Sequence, residues 1–328
     1  MSSTSLLPYL DPAPGAPPVL HAKSDGDAAS WAAEHREPLR ALVHDHGCVL
    51  VRGLGLAEPG ESEAVFRRLT DGLMPDREPF APRRRYADGV YSSTKWPPNQ
   101  QMCMHHEVSY GLRFPGLLLF ACLEAPGTGG ATALADASAV LRALPGDLVA
   151  RFEREGWLLT RAYHDEIGAS VEEAFGTDDR TAVERYCRRH AIEFAWQDDG
   201  SLHTRQRRGA VLRHPSSGLP CWFNQIAFLN EWTMEPEVHE YLVDMYGADG
   251  LPFNTRFGDG DPIGADVVRT INEVYDAHTV REPWQDGDLL LVDNIRTAHS
   301  REPFEGPREV LAALGDPVLR ADGEVSGA

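Results

Sequence analysis

Four short apolar runs constrain this chain more than anything else in it: Cys48-Val-Leu-Val-Arg52, Leu117 to Leu123, Gly287-Asp-Leu-Leu-Leu-Val-Asp293 and Arg308-Glu-Val-Leu-Ala-Ala-Leu314. Continuous apolar stretches of this length, bounded by Gly, Pro or Asp, predict strands buried in a sheet. Two lie early and two late, and most of the sequence between them has helical or turn character. That pattern suits an antiparallel barrel or jelly roll carrying helical insertions.

The elements around those runs follow from local chemistry. Asp11-Pro-Ala-Pro-Gly-Ala-Pro-Pro18 predicts an extended surface arm over residues 1–30. Trp31 to His46 reads as an amphipathic helix stopped by Gly47. Prolines 75, 79, 82, 97 and 98 make residues 71–99 an irregular segment over the surface, of the kind that forms lids. Ala131 to Ala135 is a short strand, and Asp136 can cap a helix from Ala137 to Leu144. Residues 146–190 read as mostly helical, with Thr177 capping Ala182 to Arg189, so a helical insertion is expected over about 137–190. Strands follow at Ile192 to Trp196, Val211 to His214 and Cys221 to Ile226, and helices at Val238 to Tyr246 and Ala265 to His278. No repeat or linker divides 31–316, which is expected to be a single domain, and 317–328 reads as a loose tail.

With 31 basic against 50 acidic side chains the formal charge is −19, which repels nucleic acid and anionic membranes. No apolar stretch approaches a membrane span and no leader-like segment opens the chain, so a cytoplasmic location is expected. The five cysteines are odd in number and widely spaced, which indicates neither a disulfide framework nor a zinc cluster.

Chemistry concentrates at Met-His-His-Glu-Val-Ser-Tyr110 and at Val-Asp-Asn-Ile-Arg-Thr-Ala-His299. On a strand, His105 and Glu107 share one face while His106 points away. If His299 joins them, two imidazoles and a carboxylate hold one face of a metal and leave the other open, as in non-heme iron oxygenases. The same set serves a zinc hydrolase, or is structural in a non-catalytic β-barrel binding module. Arg308 opens a strand after His299, where its planar donors match a carboxylate.

Several ordered motifs now carry a resemblance. Met-His-His-Glu-Val-Ser-Tyr, Glu-Ala-Pro-Gly-Thr-Gly-Gly-Ala-Thr-Ala-Leu-Ala-Asp, Cys-Trp-Phe-Asn-Gln, Pro-Trp-Gln-Asp-Gly-Asp-Leu-Leu-Leu-Val-Asp-Asn and Ala-His-Ser-Arg-Glu-Pro-Phe-Glu-Gly-Pro-Arg together resemble the taurine dioxygenase (TauD/TfdA) superfamily, over roughly Leu39 to Leu314. Within it the chain is most similar to the clavaminate synthase-like and syringomycin-hydroxylase-like branch, which acts on amino acids and other natural-product precursors.

The resemblance implies a double-stranded β-helix, Fe(II) held by His105, Glu107 and His299, and 2-oxoglutarate as co-substrate with its distal carboxylate on Thr132 and Arg308. It implies consumption of O2 with release of succinate and CO2, hydroxylation being the expected outcome and desaturation, epoxidation or cyclisation the alternatives. Halogenation, which needs a small residue in place of the carboxylate ligand, is disfavoured by Glu107. Gln101, Tyr110, Asn224, Asn294, Arg301 and Arg84 are carried over as residues around the substrate. Taurine dioxygenase has a second arginine four residues past the first; here that position is Ala312, so a sulfonate anchor of that kind is absent. The substrate is expected to be an amino acid or derivative, free or tethered to an acyl or peptidyl carrier protein. Arg83-Arg84-Arg85 and Arg205-Gln-Arg-Arg208 are candidates to dock such a carrier, or else solvated charges at the site rim.

Overall fold

The computed structural model describes residues 10–11, 15–22, 27–81, 83–164 and 166–320. The four apolar runs are neighbours in one eight-stranded sheet. Its order is Leu10–Asp11, Val19–His21, Cys48–Leu56, Gly287–Asp293, Arg113–Glu124, Glu309–Leu319, Val90–Ser92 and Arg85–Ala87. A second sheet, ordered Thr279–Val280, Thr132–Asp136, Thr297–Arg301 and Met102–His105, faces it across the core. These two sheets make the jelly roll.

The strands are apolar throughout because both faces of the large sheet are covered. Val49, Val51, Leu119, Leu289, Leu291 and Leu311 point one way, against helices Ala28–Glu34, Arg36–His46 and Pro59–Leu69. Leu50, Leu118, Phe120, Leu290, Val292 and Val310 point the other way, into the roll. Gly47 ends the helix Arg36–His46 in the left-handed region (φ 81°), as its glycine predicts, and hands the chain to Cys48–Leu56. Asp136 caps Ala137–Ala143 by accepting the Ala139 N–H at 2.8 Å.

The expected helical insertion needs the largest correction. Its helices Gly146–Glu155, Val171–Phe175 and Arg180–Arg189 are present, the last capped by Asp179 rather than Thr177. Between them Trp157–Tyr163 is a strand, and it pairs with Leu202–Arg208 and Asn254–Phe257 in a third sheet that Glu193–Trp196 completes. Leu202–Arg208 alternates in burial, but its inward residues include Thr204, Gln206 and Arg208, so no apolar period marks it. Cys221 to Ile226 shrinks to Pro220–Trp222, after which the chain turns on Asn224.

Both ends are also more built than expected. Val19–His21 lies parallel to Cys48–Leu56, and Leu20 is buried there, so this part of the arm is a sheet strand. Glu309–Leu319 runs past residue 316 by pairing Pro317, Val318 and Leu319 with Pro115, Phe114 and Arg113. Residues 1–9, 12–14, 23–26 and 321–328, and with them most of the arm and tail expectations, lie outside the described residues. Among the described residues no helix is long and apolar enough to cross a membrane.

Candidate metal and co-substrate site

Strand pairing brings the two ends of the chain to one point. Met102–His105 runs antiparallel to Thr297–Arg301 with His105 directly opposite His299, and the two imidazole centroids are 4.3 Å apart. A slip of one residue would turn one ring to the other face of the sheet, so this register is what makes the pair.

Glu107 arrives by a different route from the one its spacing suggests. The strand stops at His105, and Glu107 begins a turn in which Val108 has φ 54°, a left-handed value that a β-branched residue rarely adopts. The fully buried Asn294 holds that turn: its Oδ1 accepts the Glu107 N–H at 2.8 Å, and its amide donates to the carbonyls of Glu107 (2.9 Å) and Pro115 (2.8 Å). The result places Glu107 Oε2 3.9 Å from His105 Nε2 and 3.7 Å from His299 Nε2.

These three buried donors lie within 4.8 Å of one another, the spacing at which one ion can be shared. The His105 Nδ1–H donates to the Cys103 carbonyl at 2.9 Å, which leaves the Nε2 lone pair aimed at the carboxylate. Burial holds His105 below its ordinary value against the pull of Glu107, and burial with His105 alongside holds His299 well below it. Both rings are therefore neutral at physiological pH, which is the ligating form. Two imidazole nitrogens and one carboxylate oxygen around a common centre fit a divalent iron-type ion.

The adjoining cavity is lined by the two residues, Thr132 and Arg308, that the resemblance assigns to the co-substrate. Thr132, Arg301, Arg308, Phe120, Val310 and Ala312 line it together with the triad. Arg308 hydrogen-bonds the Gly130 carbonyl (3.1 Å) and Ser93 Oγ (3.3 Å), and among the described residues no carboxylate lies at ion-pair distance from it. Burial, with Arg301 nearby, pushes its guanidinium down to about 10. A half-buried cation without a counter-charge has lost part of its hydration, and an incoming carboxylate in the fork of the guanidinium would offset that loss.

The remaining carried-over residues scatter. Arg301 lines the cavity and gives its two Nη groups to the carbonyls of Trp96 (3.0 Å), Pro97 (2.7 Å) and Gln100 (2.6 Å), while its Nε is buried without a hydrogen-bond partner among the described residues. Asn294 acts from behind Glu107. Tyr110 donates to the Glu78 carbonyl at 2.9 Å, and Asn224 to the Ala210 carbonyl at 3.1 Å; neither lines the cavity. Gln101 is exposed and lines a different cleft, with Asp276 and Arg281. Arg84 is exposed and lies over the Tyr86 ring, 4.7 Å from its centroid.

Within the arginine runs, Arg83 is buried against Glu107 and Arg208 is buried on backbone carbonyls, so neither belongs to a surface patch. Residues that the sequence did not flag also shape the site. Phe228 stacks on His105 with centroids 4.4 Å apart and meets Phe80 edge-on at 4.8 Å. No periodic signal marks them, because they sit in loops.

Comparison with known proteins agrees with this geometry. Residues 10–314 match the family model described as taurine catabolism dioxygenase TauD, TfdA family. The chain is 33% identical over 316 residues to the dapdiamide synthesis protein DdaC of Enterobacter agglomerans, covering 96% of this chain and 95% of that one. It is 29% identical over 291 residues to a clavaminate synthase-like protein of Arabidopsis thaliana, covering 84% and 83%. Among solved structures, PvcB, an Fe, alpha-ketoglutarate dependent oxygenase from an isonitrile synthetic pathway, superposes with a TM-score of 0.56 at 16% identity, covering 98% of this chain and 97% of that one. With the family model spanning nearly the whole described chain and the triad and uncompensated arginine in place, the chain belongs to the TauD/TfdA family of Fe(II)- and 2-oxoglutarate-dependent oxygenases.

Proposed function

We propose that the protein oxidises a C–H bond of an amino acid or a related natural-product precursor, by hydroxylation, with His105, Glu107 and His299 holding iron and Thr132 with Arg308 holding the distal carboxylate of 2-oxoglutarate. The observation that carries this reading is the half-buried Arg308 guanidinium, which has no carboxylate partner among the described residues, in the same cavity as the triad. A zinc hydrolase has no use for such a clamp. Similarity to a dapdiamide synthesis protein supports a natural-product precursor as the substrate.

Bound iron and 2-oxoglutarate would supply an oxidant made from dioxygen, with succinate and CO2 released. The chain's own contribution is placement. The triad presents neutral nitrogens and one carboxylate oxygen, Arg308 and Thr132 orient the co-substrate, and Phe120, Val310 and Leu314 give the cavity an apolar wall. Ala312 also lines the cavity, so its small apolar side chain replaces the sulfonate-binding arginine with open space. Glu107 keeps the carboxylate ligand whose loss halogenation requires. Desaturation or epoxidation would use the same residues and differ only in how the substrate carbon is presented. If the substrate is carrier-tethered, exposed Arg84, Arg85 and Arg205 remain available for docking.

Anaerobic addition of Fe(II) and 2-oxoglutarate should produce a visible charge-transfer band, and titration with free amino acids or tethered precursors should shift it. His299→Ala should abolish the band and iron-dependent 2-oxoglutarate consumption. Wild-type turnover in that variant would remove His299 from the ligand set.

A further inference from the structure

Residues 71–99, expected to be irregular, contain the edge strands Arg85–Ala87 and Val90–Ser92; Arg83 lies just before the first of them, and its side chain is only 7% exposed and reaches Glu107. Its Nη2 donates to Glu107 Oε1 at 2.9 Å and its Nε to Thr94 Oγ1 at 2.9 Å, while Asp76 Oδ2 stands 3.6 Å from Nε. The two oxygens of Glu107 thus have separate neighbours: Oε1 faces the guanidinium, and Oε2 faces the two imidazoles. Asp76, Arg83 and Glu107 are all buried, and their side-chain charges sum to −1.

We infer that Arg83 is a positioning residue that reserves one oxygen of Glu107, so that the carboxylate offers a metal ion a single oxygen and leaves the opposite face free for co-substrate and dioxygen. This rests on the reading of His105, Glu107 and His299 as the metal ligands. Turning both oxygens toward the ion would break a charge-assisted hydrogen bond between desolvated groups, which is among the stronger contacts available to a side chain. Asp76 neutralises Arg83 on its far side, so the guanidinium orients the ligand while adding little net repulsion to a dication. The contact also ties the metal centre to the segment that feeds the edge strands Arg85–Ala87 and Val90–Ser92 of the large sheet.

Removing Arg83 alone would strand Asp76 beside Glu107, so the test compares Asp76→Asn with Asp76→Asn/Arg83→Gln in the full-length protein. Mn(II) affinity would be measured by calorimetry on the metal-free protein, and coordination by the visible spectrum of the Co(II) form. Asp76→Asn keeps the Arg83–Glu107 contact and is the reference for the double variant, carrying only the small loss of affinity that comes from removing a counter-charge. The double variant should bind Mn(II) about ten- to a hundredfold more weakly, the usual consequence of losing a residue that orients a ligand. Its Co(II) bands should change intensity as the carboxylate gains freedom to bind through both oxygens.

Equal affinity and an identical Co(II) spectrum in the two variants would overturn the inference. Failure of the wild-type protein to bind Mn(II) or Co(II) would instead overturn the ligand assignment itself. Should the double variant not fold, Arg83→Lys keeps the buried charge but cannot span Thr94 and Glu107 together. It should weaken Mn(II) binding about tenfold, the lower end of such effects, and wild-type affinity with a wild-type Co(II) spectrum in that variant would overturn the inference as well.

Discussion

Arg308 is a half-buried cation with no carboxylate partner among the described residues, and that makes it the residue whose loss is simplest to interpret. Arg308→Ala should leave metal binding intact and weaken 2-oxoglutarate by roughly ten- to a hundredfold, since a lost charge-assisted contact costs about 1.5–3 kcal/mol. The apparent 2-oxoglutarate affinity, read from the anaerobic charge-transfer titration, checks this; an unchanged value would assign the distal carboxylate to another group. His105, Glu107, His299, Thr132 and Arg308, which ordered motifs and the family resemblance singled out in the sequence, are gathered by the fold around one cavity. Arg83 was not singled out for the site. It sits in a triplet of identical residues on a proline-rich segment, where nothing local says which of the three turns inward. Gln101, which the resemblance placed near the bound ligands, is exposed just before the strand Met102–His105 and lines a different cleft.

The short elements around Arg308 show how the site is aimed. The two-residue strands Thr128–Gly129 and Phe304–Glu305 pair, and Gly130 follows with φ 68°. A Cβ on Gly130 would come within 2.7 Å of the Pro126 ring, 2.9 Å of Phe304 Cβ and 3.2 Å of Arg308 Cδ. Gly130→Ala should therefore displace Arg308 and weaken 2-oxoglutarate several-fold, in addition to about 1–2 kcal/mol of lost stability from the left-handed backbone. Paired measurements of co-substrate affinity and thermal unfolding check this, and a stability loss with unchanged affinity would mean that Arg308 is held by other contacts. Elements were legible where pattern and composition agree, as in Gly287–Asp293, predicted with its observed bounds. They were illegible where buried strands carry polar residues, as in Leu202–Arg208, or where a strand such as Trp157–Tyr163 lies among helices.

At the scale of the molecule, the large sheet joins chain ends that are far apart in sequence, and Asp288 records the cost. Its carboxyl is 1% exposed and accepts the Gln285 N–H at 2.9 Å, with Arg52 Nε 3.5 Å away. Burial raises it to about 6, more than Arg52 lowers it. A carboxyl raised in the folded state favours folding below its unfolded value, and that contribution is lost as pH rises through about 6. Asp288→Asn should therefore gain in melting temperature relative to wild type between pH 5 and pH 7.5, by on the order of 2 °C. A difference that does not vary with pH would show that Arg52 fully compensates the charge. The sequence by itself determined which residue types can hold a metal and a dicarboxylate, and which runs must be buried in a sheet, because donor chemistry and hydrophobic pattern are properties of local sequence. Only the tertiary structure decided that His105 stands opposite His299, that Asn294 and a left-handed Val108 turn Glu107 back to meet them, and that Arg83 rather than Arg84 enters the site. Those outcomes depend on strand register and long-range packing, whose energies belong to pairs of residues far apart along the chain.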